Sequence, residues 1–247
     1  MDTWVAAGQI QGHRDSQQDA YSYLEWGKEH YLLILADGIG GASGGKLAAD
    51  VAVNEFQNAF ISCGKTDTRE RLIGALGNAN DALYDEKQHR PDLCDMGTTL
   101  IGAAIVNHKL HWVSVGDSPL WLIRSDQIIR LNEDHSIGGL LDMRARAGEI
   151  SWEEARNSDQ RNLLLAAVQG EDIQHVDAPP EPHQLNPGDI LIAASDGIET
   201  CSQDELVQIV TAGRPSAPDI VEAVLESVVE TDRLGQDNAS LVVYRYR

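Results

Sequence analysis

The sequence predicts an α+β fold, in which helices pack against antiparallel sheets. Apolar runs rich in Val, Ile, Leu, Trp and Thr indicate strands at residues 3–9, 31–36, 98–106, 109–115, 119–124, 127–131, 189–194 and 239–246. The runs between residues 97 and 131 follow one another too closely for βαβ crossovers, which need a dozen residues or more. They therefore predict an antiparallel meander, and helices grouped between the strand clusters complete the α+β pattern.

Apolar periodicity and capping signals predict four helices. They cover residues 44–61, 69–89, 203–211 and 216–230. The second helix shows the clearest stripe, with apolar residues at i, i+3, i+4, i+7 and i+11 counted from Leu72. The third begins with a capping box, in which Ser202 is the N-cap and Glu205 lies three residues later.

The stretch 138–176 is more polar than its surroundings and interrupts the series of strands. Its weak strand signals predict short helices and loops inserted between the meander and the strand that begins at 189. Long excursions of this kind often carry binding function. We therefore expect one domain over residues 1–247, with a small subdomain inserted at 138–176.

Composition and charge limit the compartment and the partners. A net charge of −20 disfavours binding to nucleic acid, because phosphates would be repelled. No apolar run is long enough to cross a bilayer, and the first residues lack the regions of a signal peptide. The three cysteines are scattered and odd in number, which suits a reducing compartment. We expect a cytoplasmic monomer without membrane insertion.

Four aspartates lie at the ends of apolar runs, each beside or near glycine. They are Asp37, Asp117, Asp196 and Asp237. A single Asp-Gly after a strand is commonly only a turn. Four acidic strand ends are harder to explain in that way, since clustered carboxylates repel one another unless they are protonated or bound to metal. Hard divalent cations prefer such oxygen ligands, so the pattern predicts a metal centre.

Asp37 is the best candidate for a carboxylate shared by two cations. The next residue, Gly38, leaves its carbonyl free to approach an ion closely. Two cations that share a ligand can hold a water between them and lower its pKa, which makes a hydroxide nucleophile available near neutral pH. Arg14 is a weaker candidate: an isolated arginine is most often a surface residue, but a guanidinium is also the group that binds phosphate oxygens bidentately.

Seven short motifs occur in an order that resembles the PP2C-type (PPM) metal-dependent protein Ser/Thr phosphatases. The motifs are GHRDSQQDA, LADGIGGASGGKLA, MGTTL, VGDSPLWLI, LNEDHSI, ASDGIETCSQDEL and GQDNASLVVY. The match runs from about Gly12 to the C-terminus, and GEISWEEARNSDQRN is similar to the flap subdomain of bacterial members. The resemblance implies an antiparallel β-sandwich flanked by α-helices, with two or three Mg²⁺ or Mn²⁺ ions at one end.

The resemblance also implies a role for each candidate metal ligand. Asp37 would bridge the two core metals, and Gly38 would provide a carbonyl ligand. Asp196 and Asp237 would hold the first metal. Asp117, again with Asp196, would hold a third and weaker metal of the kind found in bacterial members.

By the same resemblance, Arg14 would bind the substrate phosphate. A metal-bridging hydroxide would attack phosphorus in line, without a covalent phosphoenzyme. The implied activity is hydrolysis of phosphoserine and phosphothreonine on proteins, opposing a Ser/Thr kinase. The alternative is a non-catalytic phosphoprotein-binding module on the same fold, which loss of the metal aspartates would favour; all four are present.

The chain departs from the family pattern at three positions. Gln18 stands where the family usually has glutamate, from which we expect weaker or altered metal preference. Ile39 occupies the place of a histidine found in eukaryotic members, and bacterial members commonly have an apolar residue there. Pro119 replaces an arginine that is common after the GDS motif, which would alter nearby substrate contacts.

Overall fold

The structure, a computed structural model, describes residues 4–213 and 215–246. The strands in these ranges are β1 (Val5–Ile10), β2 (Ala20–Gly27), β3 (His30–Ala36), β4 (Gly38–Ile39), β5 (Gly97–Thr98), β6 (Leu100–Val106), β7 (Lys109–Val115), β8 (Leu120–Arg124), β9 (Gln127–Arg130), β10 (His183–Gln184), β11 (Ile190–Ala194) and β12 (Ala239–Arg245). One five-stranded sheet has the order β1-β12-β11-β8-β9, the other has the order β10-β7-β6-β3-β2, and β4 pairs with β5 in a separate two-stranded sheet. All the pairings in both sheets are antiparallel, as the meander predicted.

The helices lie between the strand clusters. They are α1 (Gly41–Ser62), α2 (Thr68–His89), α3 (Ile137–Arg146), α4 (Trp152–Arg156), α5 (Gln203–Thr211) and α6 (Ala217–Thr231), with short 3-10 turns at Pro91–Leu93 and Asp196–Thr200. The predicted capping box of α5 is present, since Ser202 accepts a hydrogen bond from the Glu205 N–H. None of the described helices has the length and apolarity needed to cross a bilayer.

The two sheets pack face to face and helices cover their outer faces, so the chain has four layers. Alternation along β3 shows the arrangement: Leu33 and Leu35 face the other sheet, whereas Leu32 and Ile34 face α1 and α2. On the second sheet, the outer apolar residues pack against α5 and α6. This confirms the predicted α+β fold, an antiparallel sandwich flanked by helices.

Some predicted elements differ from the structure. Strand β2 was missed, because it is an edge strand whose half-exposed residues break the apolar run. The run predicted at 98–106 divides into β5 and β6, which belong to different sheets. The strand predicted at 3–9 is observed as β1, and residue 3, the first of the predicted range, lies outside the described residues. The boundaries of the inserted subdomain at 138–176 stay a prediction; α3 begins one residue before it and α4 lies within it.

Candidate active site

The six residues singled out in the sequence line one cavity of about 320 Å³. They are Arg14, Asp37, Gly38, Asp117, Asp196 and Asp237. We refer to the four carboxylates among them as the aspartate cluster. Neighbouring side chains on the same wall include Gln18, Thr99 and Asn162. The structure thus brings every predicted site residue together, and their individual roles stay predictions.

Strand register explains why residues so distant in sequence meet here. In one sheet, the end of β3 pairs with the start of β2, and the end of β7 pairs with the start of β6. Asp37 and Asp117, which follow β3 and β7, therefore lie at the same end of the sheet. In the other sheet, the end of β11 pairs with the start of β12, which places Asp196 beside Asp237. Because the two sheets are stacked, both pairs open into the same cavity.

Glycines let the backbone segments that carry the aspartates approach one another closely. A Cβ added to Gly38 would lie 2.1 Å from the carbonyl oxygen of Gly45 in α1. A Cβ added to Gly197 would lie 2.0 Å from the carbonyl oxygen of Asn238. Both distances are far below van der Waals contact, so a larger residue would force these segments apart. The glycines beside the aspartates therefore have a packing role that the sequence did not show.

Thr98 and Thr99, in the MGTTL motif, fix the backbone of Asp37. The N–H of Asp37 donates to Oγ1 of Thr99 (3.0 Å), and its carbonyl accepts from Oγ1 of Thr98 (2.8 Å) and from the N–H of Thr99 (2.9 Å). The Thr99 hydroxyl also bonds the Ser118 hydroxyl (2.7 Å), next to Asp117. These buried contacts link the positions of two members of the aspartate cluster.

Burial raises the pKa values of Asp37, Asp117 and Asp196. Burial raises the pKa of Asp37 well above its ordinary value, and the charges of Asp19 and Asp196 raise it further. Burial and then the charges of Asp117 and Asp237 raise the pKa of Asp196 to about 7, although solvent still reaches this side chain. The cavity thus holds negative charge that the protein itself does not fully neutralise, which is the condition for binding a cation.

We expect Asp37→Asn to stabilise the protein in the presence of a chelator. An aspartate whose pKa is raised by folding favours the folded state at low pH, and that contribution is lost as pH rises through the folded pKa. Removing the charge should therefore raise Tm at pH 8 by at least about 3 °C, and by less at pH 5. Circular dichroism melts in EDTA measure this, and an equal or lower Tm at pH 8 would contradict it.

Asp19 is a buried acid at this site that the sequence analysis did not select. Its Oδ2 accepts a hydrogen bond from the Ser195 hydroxyl (2.8 Å), while its Oδ1 has no hydrogen-bond partner in the part of the chain that the structure describes. Burial raises its pKa, against the opposing hydrogen bonds of Ser240 and Ser195. Asp19 was not selected because strand β2 was not predicted. Asp19 directly precedes the first residue of β2, so predicting that strand would have made it a fifth aspartate at a strand end.

Gln18 faces the cavity where the family pattern has an acid. Its backbone N–H donates to Oδ1 of Asn238 (2.8 Å), which lies next to Asp237. Its side-chain oxygen, Oε1, lies against Gly45: a Cβ added to Gly45 would be 2.3 Å from Oε1 of Gln18. A neutral amide is thus held at the wall of the site, where it can hydrogen-bond but adds no charge.

Arg14 lies at the cavity rim and forms an ion pair with Asp237 through Nη2 and Oδ2. Its side chain is about half exposed, at 53%. The guanidinium therefore pairs with a predicted metal ligand, whereas its own predicted role is to bind phosphate. A cation on Asp237 would compete with Arg14 for this carboxylate and leave the guanidinium available to an anion.

The donor set fits a divalent cation, although binding requires side chains to move. Within residues 4–213 and 215–246, no group of three or more His, Cys, Asp or Glu side chains is already arranged to hold an ion. The carboxylates converge on one cavity, however, and a buried oxygen of Asp19 lacks a hydrogen-bond partner among those residues. Oxygen donors of this kind suit Mg²⁺ or Mn²⁺.

A larger cavity of about 950 Å³ lies on the other side of residues 161–165. Arg161 and Leu165 line this larger cavity, whereas Asn162 and Leu164 line the one that holds the aspartate cluster. None of the six predicted site residues borders it. We therefore place the chemistry in the smaller cavity, where the carboxylates meet.

The fold and the acidic cavity with one arginine at its rim define the class of metal-dependent hydrolases that act on phosphate esters. A comparison with family models identifies the particular family. The model described as protein phosphatase 2C matches residues 11–228. The chain therefore belongs to the protein phosphatase 2C family, as the ordered motifs implied.

Known relatives support the same conclusion. The serine/threonine phosphatase stp of Listeria innocua is 32% identical over 197 residues, which cover 77% of this chain and 74% of the relative. The protein phosphatase PhpP of Streptococcus pneumoniae is 31% identical over 212 residues, with 83% and 82% covered. The crystal structure of the PPM Ser-Thr phosphatase MsPP from Mycobacterium smegmatis, in complex with cacodylate, has a TM-score of 0.78 at 29% identity, with 98% of each chain covered.

These findings confirm the predicted enzyme class, a metal-dependent protein serine/threonine phosphatase of the bacterial type. The relatives carry the names of phosphatases. The alternative of a non-catalytic binding module therefore has no support.

Proposed function

We propose that the aspartate cluster and the Gly38 carbonyl hold two or three divalent cations, and that Arg14 binds the phosphate of the substrate. The observation that carries this proposal is the convergence of all six residues on one cavity. The raised pKa values of Asp37 and Asp196 support it, because they show carboxylates gathered without enough positive charge. Asp19 is a further buried carboxylate, close enough to Asp37 for its charge to raise the pKa of Asp37.

The proposed reaction is the hydrolysis of phosphoserine and phosphothreonine in proteins. Water forms a bond to phosphorus as the bond to the serine or threonine oxygen breaks, which yields inorganic phosphate and the free hydroxyl. Bound cations supply Lewis acidity toward the phosphate oxygens and lower the pKa of water. The aspartates hold their charge in a partly dehydrated cavity, where electrostatic interactions are stronger than in water. Arg14 presents a planar fork that matches two phosphate oxygens.

Several finer features belong to the proposal. The oxygen-rich donor set favours Mg²⁺ or Mn²⁺ as the physiological ion. The substrates are phosphoproteins, so the reaction that supplies them is protein phosphorylation by a Ser/Thr kinase.

We also infer that the protein is a cytoplasmic monomer in which residues 138–176 form a flap beside the site. Asn162 and Leu164, which belong to this segment, line the cavity.

The function is tested by hydrolysis of a phosphothreonine peptide in Mn²⁺, in Mn²⁺ with excess EDTA, and after thiol alkylation. We expect turnover with Mn²⁺, its loss in EDTA, and no effect of alkylation beyond about twofold, since the aspartate cluster contains no thiol. Exposed Cys94 provides an internal control that alkylation has occurred, which mass spectrometry can verify. Activity that survives EDTA would overturn the metal-dependent mechanism.

A further inference from the structure

The turn that carries Asp117, residues 116–119, bonds to the buried side chain of Asn132. Asn132 is only 5% exposed. Its Oδ1 accepts from the N–H of Leu120 (2.7 Å), and its Nδ2 donates to the carbonyl of Ser118 (2.9 Å) and to the hydroxyl of Ser114 (3.2 Å). The amide thus joins the strand before the turn to the residues after Asp117.

Two neighbours of Asn132 hold the rest of the turn. Arg130 donates through Nη2 to the carbonyl of Asp117 (2.6 Å). The N–H of His135 donates to the carbonyl of Gly116 (3.1 Å), and the N–H of Gly116 donates back to Nδ1 of His135 (3.2 Å). The backbone on both sides of the Asp117 carboxylate is therefore fixed by residues 130–135.

The same segment continues into the inserted subdomain. Ser136 is the N-cap of α3, with its hydroxyl accepting from the N–H of Gly139 (3.0 Å). It also forms an isolated β-bridge with Leu164, which lines the cavity. The N–H of Leu165 donates to the carbonyl of His135 (2.8 Å). Residues 130–136 therefore connect the Asp117 turn to the base of α3.

We propose that Asn132 is a positioning residue for Asp117 and sets the affinity of the cation that this carboxylate binds. The inference rests on the proposed function, in which Asp117 holds the third and weakest cation. Asn132 contacts the backbone on one side of Asp117 and the strand that leads into the turn. Its removal breaks the bonds to Leu120, Ser118 and Ser114, which allows the residues after Asp117 to shift. Loss of a residue that orients a metal ligand in this way typically changes metal affinity by about 10–100-fold.

The test is calorimetric titration of Mn²⁺ into chelator-treated wild type, Asn132→Ala, Asp117→Asn and the double variant. We expect Asn132→Ala to weaken the lowest-affinity Mn²⁺ site by about tenfold and to leave the tighter sites unchanged. The apparent KM for Mn²⁺ should rise by a similar factor, while kcat at saturating Mn²⁺ changes little. In the Asp117→Asn background, Asn132→Ala should have no further effect on Mn²⁺ binding, because the ligand that it positions is gone.

Asn80→Ala is the matched control. Its side chain also bonds backbone groups, at Glu171 (2.8 Å) and Gly170 (2.9 Å), but neither belongs to the turn that carries Asp117. It should therefore leave Mn²⁺ binding unchanged, whatever its effect on Tm. If Asn132→Ala does not fold, Asn132→Ser, which places a small hydroxyl at the position, is measured in the same way.

The outcomes separate the two claims. If Asp117→Asn leaves Mn²⁺ binding unchanged, the proposed third site is wrong. If Asp117→Asn removes the weak site but Asn132→Ala binds Mn²⁺ as wild type does, the positioning role of Asn132 is wrong. The positioning role would also be wrong if Asn132→Ala weakened Mn²⁺ binding equally in the wild-type and Asp117→Asn backgrounds. It would be wrong as well if Asn80→Ala caused the same loss of affinity, because the loss would then reflect general stability.

Discussion

Replacing Asp37 with asparagine is expected to lower kcat by about a thousandfold or more. Asp37 lines the cavity, and its pKa is raised by burial and by the charges of every other member of the aspartate cluster. Asparagine keeps the shape and removes the charge, so the change acts on cation binding and not on packing. Loss of a metal ion that stabilises a transition state costs several kcal/mol, and each 1.4 kcal/mol is a factor of ten in rate.

The measurement is hydrolysis of a phosphothreonine peptide at saturating Mn²⁺. Asp50→Asn is the control, since Asp50 pairs with Lys46 on the surface of α1 and lies outside the cavity. It should retain wild-type activity within about twofold, as an exposed ion pair contributes little. If Asp37→Asn kept more than about a tenth of wild-type kcat, the central role of this carboxylate would be wrong.

The second large effect is expected from Gly197→Ala. The added Cβ would lie 2.0 Å from the carbonyl oxygen of Asn238 and 3.1 Å from the Cα of Ala239. Both contacts are with backbone, so one of the two segments must move. Overpacking of this kind costs about 1–3 kcal/mol of stability. Because Asp196 and Asp237 flank the contact, a shift of about 1 Å in their separation should also lower kcat/KM by about a hundredfold.

Urea unfolding and peptide kinetics measure the two effects separately. Gly74→Ala is the matched control: it makes the same change in the interior of α2, where an added Cβ meets nothing within 4 Å. It should stabilise the protein by about 0.5–1 kcal/mol through helix propensity and leave kinetics unchanged. Wild-type stability and activity in Gly197→Ala would show that the close approach at Gly197 is unnecessary.

The strand ends could be predicted from sequence because buried strands have a strong local signal. Asp37, Asp117 and Asp196 each follow an apolar run, and that pattern alone suggested a metal centre. The motif order then implied which role each one takes. What the sequence pattern could not show was register, because the pairing of β2 with β3 joins residues whose local sequence is half polar. For that reason β2 was missed, and Asp19 with it.

The contacts that hold the aspartates in place were also beyond the sequence analysis. Glycines were visible beside the acids, but the partner of each close approach lies elsewhere in the chain, as with Gly197 and Asn238. The same holds for Asn132, which reads as an ordinary loop residue until its bonds to Leu120 and Ser118 are seen. Such contacts depend on tertiary structure, which periodicity and spacing do not specify.

The most direct test of the account is calorimetric titration of Mn²⁺ into chelator-treated wild type and Asp37→Asn. We expect wild type to bind at least two Mn²⁺ ions, and we expect that binding to restore hydrolysis of a phosphothreonine peptide. Asp37→Asn should lose one or more of these ions together with turnover. Hydrolysis by a wild-type protein that binds no divalent cation would contradict the claim that the aspartate cluster is a metal centre.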